Sequence, residues 1–223
     1  MRLFFYELAK KIGVNKLADT ALSFGLGEKT GINIKGEKKG LIPTREWKKK
    51  YIGKRWQLGE TMILGVGQGY ITSTPIQLAL ATAIIANNGK QISPKIQLDE
   101  INDFNTNIDK NNDEYLEFFS IVKEGMYNAV NKYIGTAYSS RLSQPIFAGK
   151  TGTVQVRSIT EEERETEIIP NSKLPYKERD HSLFVGFAPY TKPKVAISVI
   201  IEHGGSGSST AAPIAKKIFK KVI

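Results

Sequence analysis

The stretch Pro145 to Val156, PIFAGKTGTVQV, constrains this chain more than any other. Ile146, Ala148, Val154 and Val156 share one parity, which fits a strand with one face in a core. Lys150 and Gly152 fall on that same inward register, while Thr151 and Thr153 point the other way. An inward lysine costs free energy unless it has a partner. A glycine in mid-strand marks close approach of a ligand or another backbone. Alone, Lys-Thr-Gly is a short pattern, also compatible with an edge strand carrying a surface lysine.

Composition narrows the alternatives. The 223 residues suffice for one large or two small domains, and 40% hydrophobic with 24% charged residues is ordinary for a globular protein. The longest apolar runs, Leu78 to Ala86 and Val195 to Ile201, fall short of the roughly 18 residues a membrane span needs. The opening MRLFFYELAKK lacks a small-residue cleavage site and does not read as a signal peptide. A net charge of +10 permits an anionic partner. The lysines, however, are scattered, as in Lys48-Lys49-Lys50, Lys38-Lys39 and Lys216-Lys217, with no basic stripe interleaved with aromatics. A solvated lysine-rich surface is expected, and no nucleic-acid partner. The absence of cysteine excludes disulfides, thiol nucleophiles and zinc-thiolate sites. Two histidines, His181 and His203, make a His-rich metal site unexpected, so no metal or other cofactor is expected.

Along the chain, Phe4 to Ile12 reads as a helix starting at full amphipathic strength without a cap, which suggests truncation. Asn15 is a candidate cap for a helix over Lys16 to Phe24, with Leu17, Ala21, Leu22 and Phe24 inward, ended by Gly25 and Gly27. Thr30 to Trp47 reads as turns with a short strand near Ile32 and Ile34, then a turn at Pro43-Thr44 entering a short helix anchored by Trp47. Gly65-Val66-Gly67-Gln68-Gly69 fits neither phosphate-binding glycine pattern and reads as a tight path packed on a helix. Thr74-Pro75-Ile76-Gln77 is a capping box opening an all-round apolar helix to Ala86, stopped by Asn88-Gly89. Residues 99–113 read as a loop, and Asp113 as the cap of a helix to about Asn131 with Leu116, Phe119, Val122, Met126 and Val130 inward. Gly135-Thr136-Ala137 suggests a short helix, and residues 161–179 a long loop. Ser182 to Ala188 and Val195 to Ile201 form a hairpin turned at Tyr190 to Pro193. Gly204 to Ser208 reads as flexible, and Thr210 to Val222 as a final helix with Ile214, Ile218 and Phe219 inward. Helices first and antiparallel strands afterwards imply an α/β or α+β layer fold.

The runs PTREWKKK, GVGQGYITSTPIQLALATAIIANNG, GKTGTVQV, RDHSLFVGFAPY, VAISVIIEHGG and AAPIAKKI together resemble the C-terminal part of the transpeptidase domain of class B penicillin-binding proteins, and among these the elongation type. The resemblance runs over all of residues 1–223 and implies a partial penicillin-binding transpeptidase/serine β-lactamase-like fold, an antiparallel sheet packed with helices. It implies acyl transfer through a serine ester: attack on the D-Ala-D-Ala carbonyl of a peptidoglycan stem peptide, then transfer to a neighbouring amine, with β-lactams as mimics of the dipeptide. By position, Lys150 matches the basic lysine of Lys-Thr-Gly. Thr151 and Thr153 match residues that bind the substrate carboxylate, and Gly152 lets the substrate backbone lie along the strand. The Thr153 amide matches one donor of the oxyanion hole, a kind of interaction worth about 2.7–4 kcal/mol. The implied location is the periplasmic face of the inner membrane, and the implied partners are the stem peptide, β-lactams and cell-wall elongation proteins.

The departures from the family pattern are equally specific. No Ser-x-Asn occurs, and only Met1-Arg2-Leu3 stands where that motif belongs. The one Ser-x-x-Lys spacing, Ser120 to Lys123, lies inside the helix from Glu114 and reads as an ordinary helical serine. The nucleophile is therefore expected to be absent from this chain, which would carry only the Lys-Thr-Gly wall and be inactive alone. The alternative is a non-catalytic binding or scaffold module of the elongation machinery. Apolar surface is expected to lie bare on the Lys150 sheet and on Ile76 to Ala86. His181 reads as a strand-edge histidine bonded to nearby loop residues, and His203 as exposed.

Overall fold

A computed structural model describes residues 2–90, 92–96, 113–157, 159, 163, 165–167 and 169–223. Most of the loop expected over 99–113 lies outside them. The backbone divides into two compact units, Met1–Ile84 with Lys90–Lys110, and Ile85–Gly89 with Asn111–Ile223.

The first unit is helical. It holds α1 (Arg2–Ile12), α2 (Val14–Ser23), α3 (Arg45–Tyr51), α4 (Leu58–Leu64) and most of α5 (Pro75–Ala86). α2 starts earlier than its sequence suggests, behind Gly13 rather than at an Asn15 cap. Its buried residues are Val14 and Ala18. Its C-terminus closes as expected: Gly25 takes a φ of 80°, with Leu26 N donating to Ala21 O and Gly25 N to Leu22 O, the paired bonds of a Schellman motif. No strand forms near Ile32 and Ile34; Ile34 N folds back onto Ile32 O in a tight turn. The one ladder contact of the region is a bridge between Leu41 and Thr72.

α4 escaped the sequence reading. It packs on α1 so closely that a Cβ on Gly65 would lie 2.3 Å from the Ala9 Cβ. Gly65 is thus needed for close packing, but on α1 rather than on the helix that opens at Thr74, and Gly67 serves the turn with a φ of 73°. The Thr74 capping box is present, with Thr74 N donating to Gln77 Oε1 at 2.9 Å and Gln77 N to Thr74 Oγ1 at 3.3 Å. The buried Gln77 amide also donates to Glu28 O and Lys39 O, tying the preceding loop to the helix start. Such complete pairing is what a buried amide requires.

The second unit is built on a sheet of β1 (Ala148–Val154), β2 (His181–Ala188) and β3 (Val195–Ile201), antiparallel in the order β1-β2-β3. α6 (Asp113–Asn131) and α7 (Ala212–Val222) pack on it. The residue pair Ala148–Phe187 sets the register. Both faces are buried at this end, which corrects the expectation of a single core face. Phe147 meets Phe184 and Phe219 on one side, while Ala148 joins Phe187 and Met126 on the other. On α6, Phe119, Met126 and Val130 are buried, but Leu116 and Val122 are exposed. The short helix expected at Gly135-Thr136-Ala137 sits just beyond it, as a 3₁₀ turn at Tyr138–Ser140.

The bare apolar surface also falls elsewhere than expected. No residue of Ile76 to Ala86, β2 or β3 is exposed. The exposed apolar side chains include instead those of α1 (Leu3, Phe4, Phe5, Leu8), of α6 (Phe118, Ile121) and of the turn after it (Tyr133, Ile134). Gly204 to Ser208, expected to be flexible, is packed into the sheet. A Cβ on Gly207 would lie 2.3 Å from Gly152 O and 2.4 Å from Leu183 O. The buried Ser182 hydroxyl donates to Ser206 O and accepts from Ala211 N, stapling this turn to β2.

Candidate functional site

β1 is an edge strand, and its backbone parity decides what that edge offers. Ile146 O accepts from Tyr190 N on the β2 side, and the next carbonyl, Phe147 O, accepts from Asn131 Nδ2 of α6 on the opposite side. Alternation along an antiparallel strand then turns Lys150 and Gly152 toward β2. The N–H and C=O of Thr151 and Thr153 face the open edge. Backbone groups that face away from the rest of a sheet can serve as a template for an extended peptide.

The side chains at this edge are cationic and hydroxylic. Lys150 is exposed, not inward in a core as its register suggests, because the Ala148 face opens at that level. Its Nζ donates to Thr151 O at 2.7 Å and lies 3.5 Å from Thr151 Oγ1. Neighbouring protein atoms strip enough water from this ammonium to lower its pKa below the ordinary lysine value. Among the described residues it has no ion pair. Thr151 Oγ1 lies 3.0 Å from Thr136 Oγ1, which arrives from the connection after α6. Thr153 is exposed at the end of the strand, with Gly207 N 3.5 Å from its hydroxyl. Gly152 is where the Gly207 turn crosses the sheet, a close approach by backbone.

Beyond β1, the chain is held by a network that sequence reasoning missed. Asp180 accepts from Val156 N and Asn171 Nδ2, and its own N–H donates to Asn171 Oδ1. Arg157 and Glu163 form a two-bond ion pair at 2.6 and 2.5 Å. His181 Nδ1 accepts from His203 N, consistent with a strand-end histidine bonded to loop backbone. His203 is not simply exposed. It adopts a φ of 55°, its Nδ1 lies 3.0 Å from Arg179 O, and its ring packs on those of His181 and Tyr176.

Two other places are chemically weaker. Ser120 is exposed on α6, and Lys123, three residues on, is engaged by Asn88. A cavity of about 170 Å³ in the first unit is lined by Pro43, Trp56, Glu60, Ile63, Leu64 and Tyr70, among others. Its one carboxylate, Glu60, is already bonded to Lys48 and to Gln57 N. Among the described residues no group of three metal-ligating side chains occurs.

The likeness to known proteins is extensive. The profile of the penicillin binding protein transpeptidase domain matches residues 2–220. Peptidoglycan D,D-transpeptidase MrdA of Haemophilus influenzae is 39% identical over 223 residues, covering 96% of this chain and 34% of that protein. MrdA of Escherichia coli K12 is 36% identical over 211 residues, 92% of this chain and 33% of that one. This chain thus spans about a third of the length of these curated relatives. Helicobacter pylori PBP2, solved in complex with MreC, superposes with a TM-score of 0.83 at 33% identity, over 99% of this chain and 38% of that one. Pseudomonas aeruginosa PBP2 in complex with WCK 5153 gives 0.81 at 36% identity, over 97% and 46%. The helices and three-stranded antiparallel sheet are those of a partial PBP2-like transpeptidase domain, and the chain belongs to the penicillin-binding protein transpeptidase family.

Proposed function

We propose that residues 1–223 form one portion of a peptidoglycan D,D-transpeptidase domain and supply the substrate-docking wall of its active site. The observation that carries this reading is the open edge of β1, where Thr151 and Thr153 present backbone groups outward beside the Lys150 ammonium. An extended stem peptide, or a β-lactam in its place, pairs with that edge. Lys150 supplies positive charge and assists proton transfer. Thr151 and Thr153 bind the terminal carboxylate, Gly152 leaves room for the substrate backbone, and the Thr153 amide polarises the scissile carbonyl. No Ser-x-Asn occurs in residues 1–223 and the one Ser-x-x-Lys spacing lies at an exposed position within α6, so this portion is read as binding without forming an acyl-enzyme.

Titrating the ¹⁵N-labelled chain with N-acetyl-D-alanyl-D-alanine tests the reading. The Thr151 and Thr153 amides are expected to shift, and Thr153→Pro to abolish binding, with the fold checked by the dispersion of the remaining amide signals. Shifts confined to other regions, or unchanged binding by Thr153→Pro, would refute it.

A second reading, a scaffold module of the elongation machinery, is favoured by the exposed Leu3, Phe4, Phe5 and Leu8 of α1 and by the MreC complex of the Helicobacter pylori relative. It places the domain at the periplasmic face of the inner membrane. Among the described residues no helix is long and apolar enough to cross a membrane. Pull-down of an MreC-like protein by the wild-type chain, lost when Phe4 and Phe5 become serine, is its test.

A further inference from the structure

We propose that Thr136 is a positioning residue for carboxylate recognition: its hydroxyl donates to Thr151 Oγ1 and thereby turns the Thr151 proton outward, toward the terminal carboxylate of a peptide lying on β1. The proposal rests on the docking reading of β1 given above.

The argument is one of hydrogen-bond capacity. A threonine hydroxyl has one proton and two lone pairs. The Lys150 ammonium, a pure donor, lies 3.5 Å from Thr151 Oγ1. Thr136 Oγ1 lies 3.0 Å from the same oxygen. Either threonine could donate in that pair; when Thr136 is the donor, both lone pairs of Thr151 Oγ1 face donors and its proton is left for an acceptor that a ligand brings. A carboxylate beside an ammonium is the acceptor these groups favour.

Thr136 is held for this task while remaining at the surface. Gly135, just before it, is pressed onto the end of α6, where a Cβ would lie 2.5 Å from both Asn128 O and Ala129 O. Ala137, just after it, is fully buried in the core with Phe147 and Phe219, and its N–H donates to Ala129 O at 2.9 Å. Two fixed neighbours thus present one exposed hydroxyl to β1. Because the Thr136 side chain is exposed, its substitution should leave the fold alone.

The test compares binding of N-acetyl-D-alanyl-D-alanine with that of its C-terminal amide, using the 223-residue chain as wild type, Thr136→Val, Thr136→Ser and Lys150→Ala. Wild type is expected to prefer the acid. Thr136→Val is expected to cut that preference about five- to tenfold, the effect of one lost hydrogen bond to a charged group, with amide affinity and melting temperature unchanged. Thr136→Ser is expected to restore it. If Thr136→Val keeps the acid preference, or weakens acid and amide alike, while Lys150→Ala loses the preference, the role of Thr136 is overturned and the docking reading stands. If wild type shows no acid preference, or Lys150→Ala retains it, the docking reading fails and this inference with it.

Discussion

Lys48 and Lys150 belong to different units, and each sits where sequence suggested the other would. Lys48, within a run of three lysines expected to be solvated, is 4% exposed and paired with Glu60. Lys150, expected on an inward register, is exposed on a strand edge and, among the described residues, bonded to Thr151. The difference is one of partners. A buried ammonium is tolerable when a carboxylate has been fixed opposite it, and α4 does this by closing Glu60 into a capping box with Gln57 N. A cation with no carboxylate beside it among the described residues, at the outer edge of a sheet, is open to an anion. The first lysine belongs to a packed ion pair, and the second is the one we propose meets a ligand.

The contrast can be broken by substitution. Glu60→Ala, which strands the buried Lys48 charge, should cost about 3–5 kcal/mol in urea unfolding; a loss below about 1 kcal/mol would mean that Lys48 reaches water. Gly207→Ala pushes a methyl into two backbone oxygens over the sheet and should cost about 1–3 kcal/mol. It should also weaken peptide binding at β1, because the turn that crosses Gly152 must shift. Lys150→Ala should change stability by less than about 0.5 kcal/mol, as an exposed residue does, while removing ligand binding. A large destabilisation would make Lys150 structural after all.

Both pKa values are lowered in the fold, yet at neutral pH the charge at one site stabilises and at the other costs. Burial by itself would raise the Glu60 pKa, but the hydrogen bonds from Lys48 and Gln57, the Lys48 charge and Tyr70 outweigh it and hold it below the usual carboxylate range. Its contribution is therefore present above the unfolded-state value near 4 and lost as pH falls through the lower folded value. The Lys150 pKa is lowered by desolvation, so its charge costs the folded state at neutral pH. That cost is relieved as pH rises through the folded value toward the unfolded one near 10.4. Unfolding measured across pH should show Glu60→Gln flattening the acid limb and Lys150→Met the alkaline limb. Flattening of the wrong limb by either variant would contradict the assignment.

Much of the fold was legible because local chemistry and tertiary structure agree. Thr74-Pro75 caps α5, Asn88 and Gly89 stop it with φ of 54° and 79°, and the β2–β3 hairpin follows its apolar runs. Where the reading failed, partners distant in sequence decided. Phe147 and Ala148 find cores on opposite faces, which no single parity reveals. Gly207 looks like linker composition, yet it is a glycine because two carbonyls leave no space for a Cβ. α4 is short and carries its partner for Lys48 twelve residues away. At the site, the pattern of the sequence names Lys150 to Thr153, whereas it gives Thr136 only as part of a short helix. Its meeting with Thr151 depends on the path of α6, and fifteen residues of sequence separation conceal it.

The central claim is that β1 binds the substrate peptide or its mimic while this chain holds no nucleophile to trap it. Incubating the purified 223-residue chain with a fluorescent penicillin tests this most directly. Reversible binding that vanishes on denaturation and is absent in Lys150→Ala is the predicted result. A stoichiometric adduct that survives denaturing electrophoresis would contradict the account and turn attention to the chain's own serines, beginning with Ser120.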